Sequence, residues 1–468
     1  MTTLKIAFRN IFRNRRRSLM TILAIGVGAV AVLLFGAFSS YMILSFQTDT
    51  VRRTGHLAVF GAGYFDFGVG NPGAFGISGY QDVMALIEGD PVLKPLIVVM
   101  TPSQAISGIA GNYADNRSKT FFGEGIIPSS RFRMRQWDEY GVGGMPVRPA
   151  LTDEDAEGGV VGAGLARILG LCAALDVTPC PTAPKAKAPG HEQIAAAAPR
   201  DFSLLVAEDR PTERPSGSEH GRPQIDLLAA TAGDAPNVVS LNLNSAVRLG
   251  LKDLEDNYVA MNLAKAQQLL YGRGEHKVST ITLQLRRTED LAPARARLES
   301  LVGEHQWDLE VRDFRELTPL YDQALSFFLF IFSFIAAIIA VIVLFTIVNT
   351  MGMSVMERTN EIGTVRALGV QRRSLRWQFV AEGCILGAIG AALGAAVAGL
   401  LAFAINHSGV TWSPPNVAGK ELLHLYLFRN PELILGTWAG LVAMSILAAL
   451  IPASRAAKMP VVDALRHV

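Results

Sequence analysis

The chain has 468 residues, a formal net charge of +2 and a composition that is half hydrophobic, with much of that half gathered into a few long blocks; this excludes an ordinary soluble protein. The net charge gives no sign of a nucleic-acid partner. The three cysteines, Cys172, Cys180 and Cys384, lack zinc-ligand spacing, so no metal site is expected. No phosphate-binding loop of the form G-x-x-x-x-G-K-[ST] occurs, because Lys420 after Gly419 is followed by Glu421. If ATP drives the protein, this reading places ATP and Mg in another chain.

Residues 1–18 read as an amphipathic helix in the cytoplasmic membrane interface, with Leu4, Phe8, Ile11 and Phe12 on one face and Lys5, Arg9, Arg13 and Arg16 on another. The block 19–46 carries no charge and is long enough to cross a bilayer as the first transmembrane helix. It is also about twice the length of a signal-peptide core, and no A-x-A cleavage site follows it.

Residues 47–322 are expected to form a mixed α/β domain. Strand-like runs fall at 56–60, 95–100, 119–122, 202–207 and 279–286, and helix-like runs at 80–88, 160–170, 260–271 and 291–302. The proline-rich stretch 178–223 reads as a flexible insert. Cys172 and Cys180 are expected to pair in an oxidising compartment, with two free thiols as the alternative. His56, His191, His220, His276 and His305 are scattered without ligand spacing, and no catalytic residue is expected.

Three further apolar blocks follow, at 323–356, 377–406 and 433–454. As a helix, the 34 residues of the first would reach about 51 Å against a hydrocarbon core of about 30 Å. It is either tilted or continues as a stalk into the domain, and the stalk is the favoured reading. Lysine and arginine set the orientation. They crowd the segment before the first span (Arg15, Arg16, Arg17), the 357–376 loop (Arg358, Arg366, Arg372, Arg373, Arg376) and the tail 455–468 (Arg455, Lys458, Arg466), while the loop 407–432 is sparsely charged. Both termini and the 357–376 loop are therefore expected in the cytoplasm and residues 47–322 outside. The fold class is an α-helical membrane protein with four transmembrane helices and a large mixed α/β extracytoplasmic domain between helices 1 and 2.

In the 357–376 loop, Ile362, Val365 and Leu368 fall three apart and suggest one apolar helix face. Arg358 and Glu361 can pair, and Gly369 is a natural stop. Such a helix either packs on its own bundle or membrane surface, or docks on a cytoplasmic protein. Gly383, Gly387, Gly390 and Gly394 in the third span, and Gly436 and Gly440 in the fourth, have the small-residue spacing of closely packed helices or a dimer face. No span carries charges of the kind that mark an ion pathway, Glu382 at the edge of the third being the nearest.

Residues 356–369, the 379–394 glycine ladder, the tail 452–465 and the opening 4–25 together resemble the MacB/LolC/LolE/FtsX superfamily of ABC permeases. Residues 54–65, 120–125 and 162–169 look most like its lipoprotein-release branch. The resemblance implies an inner-membrane permease paired with a second copy or paralogue, carrying two copies of a separate ABC ATPase and working by mechanotransmission among membrane lipids. Glu357, Arg358, Glu361, Ile362, Val365, Arg366, Leu368 and Gly369 would then couple it to the ATPase. Extraction of lipoproteins or other lipids toward a periplasmic carrier is the first functional reading. MacB-like efflux of drugs, peptides or toxins through an adaptor, or an FtsX-like signalling scaffold, are the alternatives. A membrane-anchored enzyme finds no nucleophile–base constellation to support it.

Overall fold

The computed structural model describes residues 8–9, 13, 15–68, 70–144, 146, 148–180, 221–233, 235–250, 252–272, 276–412 and 421–460. Most of the expected interface helix, the strand at 202–207, most of the proline-rich insert and the end of the tail lie outside them.

Among the described residues, four helices have the length and apolarity to cross a membrane: α1 (Arg15–Thr54), α9 (Pro319–Glu357), α11 (Arg372–His407) and α12 (Pro431–Lys458). They pack as a bundle in which Ile25, Ala29, Val343, Ile347, Leu386, Ala391, Ala448 and Ala453 belong to one buried apolar cluster. The glycine ladder explains how α11 is seated. A Cβ on Gly383 or Gly387 would meet Ala449 or Ser445 of α12, at 2.7 and 2.5 Å. A Cβ on Gly390 or Gly394 would meet Ile25 or Ala29 of α1, at 2.9 and 2.5 Å. Gly436 and Gly440 are not packed against another helix: among the described residues, none outside their own helix lies within 4 Å of either Cβ position, which leaves the dimer face of the expectation open. They line a mostly apolar cavity of about 410 Å³ with Val32, Phe332, Ile339 and Met444.

Between α1 and α9 lies the α/β domain. Its first part comprises β1 (Leu57–Gly61), α2 (Tyr80–Gly89) and the long strand β2 (Ile97–Asn112). Next come β3 (Arg117–Ile126), α3 (Pro128–Arg135), β4 (Gly158–Gly162), α4 (Ala163–Ile168), β5 (Gln224–Ala230) and β6 (Pro236–Val247). The rest is α5 (Lys252–Glu255), β7 (Tyr258–Asn262), α6 (Leu263–Tyr271), β8 (Thr280–Leu285), α7 (Leu291–Glu304), β9 (Leu309–Asp313) and α8 (Phe314–Leu317).

Two units share β2. The first half of β2 pairs with β8, and the order β2-β8-β1-β9 with helices after β1 and β8 is a split β-α-β arrangement. Its core includes Leu57, Val59, Val83, Ile87, Ile281, Leu283, Leu298 and Val311. The second half of β2 pairs with both β3 and β5, so β2, β3, β7, β4, β6 and β5 close into a six-stranded ring. Phe121, Val161, Leu165, Leu227, Leu241 and Met261 belong to the core of this unit. Cys172, part of the same core, is joined to Cys180 by a disulfide.

The expected helices at 160–170 and 260–271 each prove to be a strand running straight into a helix. Strand pairing between β4 and β7 overrides the helical character of Ala260 and Met261. α1 also continues past residue 46, so the neck between bundle and domain is made of two helices. Gln47, Thr48 and Thr50 are polar but buried there.

Candidate coupling site

α9 ends where Arg358 leaves helical geometry, at φ −103° and ψ 17°. The Thr359 hydroxyl donates to the carbonyl oxygens of Met356 at 2.8 Å and Val355 at 3.2 Å, which fixes the turn. The short helix α10 (Thr359–Ala367) follows. Gly369 stops it with φ 92°, a left-handed conformation that favours glycine. α11 then starts at Arg372.

α10 is fastened on several sides. Ile362 is 5% exposed and belongs to the bundle core with Val355, Leu375, Phe379 and Ala456. Arg366 donates to the carbonyl oxygens of Ala457 and Met459, at 3.1 and 2.7 Å, which satisfies the open end of α12. Glu361 pairs with Arg13 at 2.5 Å and Glu357 pairs with Arg17, both at exposed positions. Such pairs contribute about 0–1 kcal/mol each, so they orient more than they stabilise. Arg358 does not pair with Glu361. The helix break turns it into the bundle, where it lies 3.8 Å from Glu382, with both side chains largely buried. No local pattern announces that contact, since the two residues lie on separate helices.

The three apolar residues read as one face are therefore divided. Ile362 faces inward, whereas Val365 is partly exposed and Leu368 is 80% exposed. Each residue advances about 100° around a helix, so two steps of three drift by about 120°. Met353, Met356, Val370 and Trp377 add further exposed apolar surface around the same turn. The result is a rigidly held knob. Its inner side is bolted to α11 and α12, and its outer side presents Val365 and Leu368.

The chain thus combines an apolar four-helix bundle with a large α/β domain between its first two helices and a short fastened helix between the second and third. Residues 331–461 match the family described as FtsX-like permease C-terminal, and this part of the chain is an FtsX-like permease domain. The chain is 26% identical over 301 residues to the macrolide export ATP-binding/permease protein MacB of Bdellovibrio bacteriovorus, covering 60% of this chain and 43% of that protein. It is 25% identical over 218 residues to the uncharacterized ABC transporter permease YknZ of Bacillus subtilis, covering 46% and 50%. The chain thus spans half or less of the length of these relatives. Among solved structures, the periplasmic region of MacB from Actinobacillus actinomycetemcomitans aligns with 58% of this chain and 95% of that one, at 14% identity and a TM-score of 0.30.

Proposed function

We propose that the protein is the permease part of an ATP-driven ABC transporter, which moves an amphiphilic substrate by mechanical transmission. An ATPase outside these 468 residues binds ATP and Mg and docks on the knob formed by Val365 and Leu368. The observation that carries this reading is the combination of an exposed apolar surface with rigid fastening. A load applied at Leu368 reaches α12 through Arg366 and the core of the bundle through Ile362. α1 and α9 then continue unbroken for 40 and 39 residues toward the α/β domain. That domain faces away from the cytoplasm, in keeping with the arginines at the opposite end of the bundle.

Extraction of lipoproteins or other lipids toward a soluble carrier fits a bundle whose core is largely apolar. The second reading, efflux of drug-like molecules with an adaptor, is favoured by relatives named for macrolide export. Stimulation of ATP hydrolysis by a macrolide, set against stimulation by a triacylated lipopeptide, separates the two.

Docking is tested with Leu368→Asp. A carboxylate buried at the interface without a partner is costly, so co-purification of the ATPase should fall at least tenfold, equivalent to about 1.4 kcal/mol. The variant should still insert and keep its α/β domain folded. Unchanged co-purification together with unchanged substrate-stimulated ATPase activity would reduce α10 to a linker.

A further inference from the structure

α1 and α9 run directly into the α/β domain, but α11 and α12 do not. They are joined to each other by the loop that ends at Asn430, and two hydrogen bonds from this loop land on one short segment of the domain, 137–144. The Tyr426 hydroxyl donates to the Gly141 carbonyl at 2.7 Å, and the Arg429 guanidinium donates to the Tyr140 carbonyl. The same guanidinium stacks 5.5 Å from the Tyr426 ring, and that ring lies 5.7 Å from Tyr41 of α1.

The segment is held from α1 as well. Arg52 donates to the carbonyls of Trp137 and Gly144, at 2.6 and 3.0 Å. The buried Gln47 amide donates to the Tyr140 hydroxyl and to Thr288 Oγ1, both at 3.3 Å, and its oxygen accepts from Tyr321 of α9 at 3.5 Å. On its far side the segment grips residues 286–288, which join β8 to α7. The Glu139 carboxylate accepts from the Thr288 N–H at 2.8 Å and from its hydroxyl at 3.0 Å, and the Trp137 indole donates to the Arg286 carbonyl at 3.3 Å.

We propose that residues 137–144 form a clasp that makes the α11–α12 half of the bundle and the α/β domain move as one body, with Glu139 and Tyr140 as its positioning residues. The inference rests on the mechanical reading above and adds a second route to it. Besides the two neck helices, displacement at the membrane passes from Tyr426 and Arg429 through 137–144 to the end of β8. A loop that served only to close the chain would not need contacts from α1, the α11–α12 loop and the sheet on one stretch of eight residues.

The test is a distance measurement on the chain alone in lipid nanodiscs, in a Cys384→Ala background. Spin labels at Glu88→Cys in the domain and Ser408→Cys at the end of α11 report the tie. Labels at Glu88→Cys and Asp253→Cys report the domain itself. In the double variant Tyr426→Phe/Arg429→Ala, the width of the Glu88–Ser408 distance distribution should at least double, while the Glu88–Asp253 distribution stays as it was. Glu139→Gln should broaden the first pair to a lesser degree. An unchanged Glu88–Ser408 distribution would overturn the clasp, and so would equal broadening of both pairs, which would mean that the contacts only hold the domain folded. No ATPase takes part, so failure here is distinct from failure of Leu368→Asp to block docking.

Discussion

His56 shows how one side chain is committed by its surroundings. Its Nδ1 accepts from the Leu285 N–H at 3.0 Å, so the neutral ring carries its proton on Nε2, aimed at Thr288 Oγ1 at 3.2 Å. Trp137 packs edge-on against it at 5.0 Å. A second proton would set N–H against N–H, and burial pushes the imidazole from 6.5 down to about 3. Between those values the unfolded chain binds the proton and the folded one does not. Stability is therefore full above pH 6.5 and lost as pH falls toward 3, at about 1.4 kcal/mol per pH unit from this group. Thermal melts of the α/β domain from pH 7 to pH 4 should show that slope, and His56→Gln should flatten it while lowering stability at pH 7. The same slope in the variant would assign the acid sensitivity elsewhere.

At the scale of elements, helix contacts divide the glycines into two kinds. A Cβ at position 394 would lie 2.5 Å from the Gly26 carbonyl oxygen, a backbone atom that cannot swing away. Gly394→Ala should force α11 off α1 and cost about 1–3 kcal/mol, visible as a lower melting temperature in detergent. Gly440→Ala meets open space and should stay within about 0.5 kcal/mol of the parent. Equal losses at the two positions would place a second helix against Gly440. The spans are legible in the sequence because a bilayer demands uninterrupted apolar runs, and the strand 280–285 because Ile281, Leu283 and Leu285 alternate with polar residues, although Thr282 and Gln284 on its other face are buried too. The α1 half of the neck is not legible, because Gln47, Thr48 and Thr50 read as surface until the domain covers them. Nor is β9, whose partner β1 lies far away in sequence. The coupling segment is half legible: its position and stop follow from Gly369, but which of Ile362 and Leu368 faces outward follows only from the bundle.

For the whole molecule, the charged end is one place in space. Arg13 and Arg17 meet Glu361 and Glu357, and Arg366 closes on Met459, so the start of α1, the α10 turn and the end of α12 share one face of the bundle. The α/β domain sits at the other end, on the neck. Arginines retained on the cytoplasmic side would leave the domain outside, and the mechanism requires this, because an ATPase supplied with cytoplasmic ATP must reach Leu368. A membrane-impermeant maleimide can decide it in a Cys384→Ala background. Glu88 on α2 and Ser374 at the start of α11 are both exposed, and the disulfide keeps Cys172 and Cys180 from reacting. Glu88→Cys should label in intact cells whose outer barrier is permeable to the reagent. Ser374→Cys should label at least tenfold less there, and equally only after the membrane is opened. Equal labelling of both before opening would place α10 and the domain in one compartment, and α10 could then not carry force from a cytoplasmic ATPase across the bilayer.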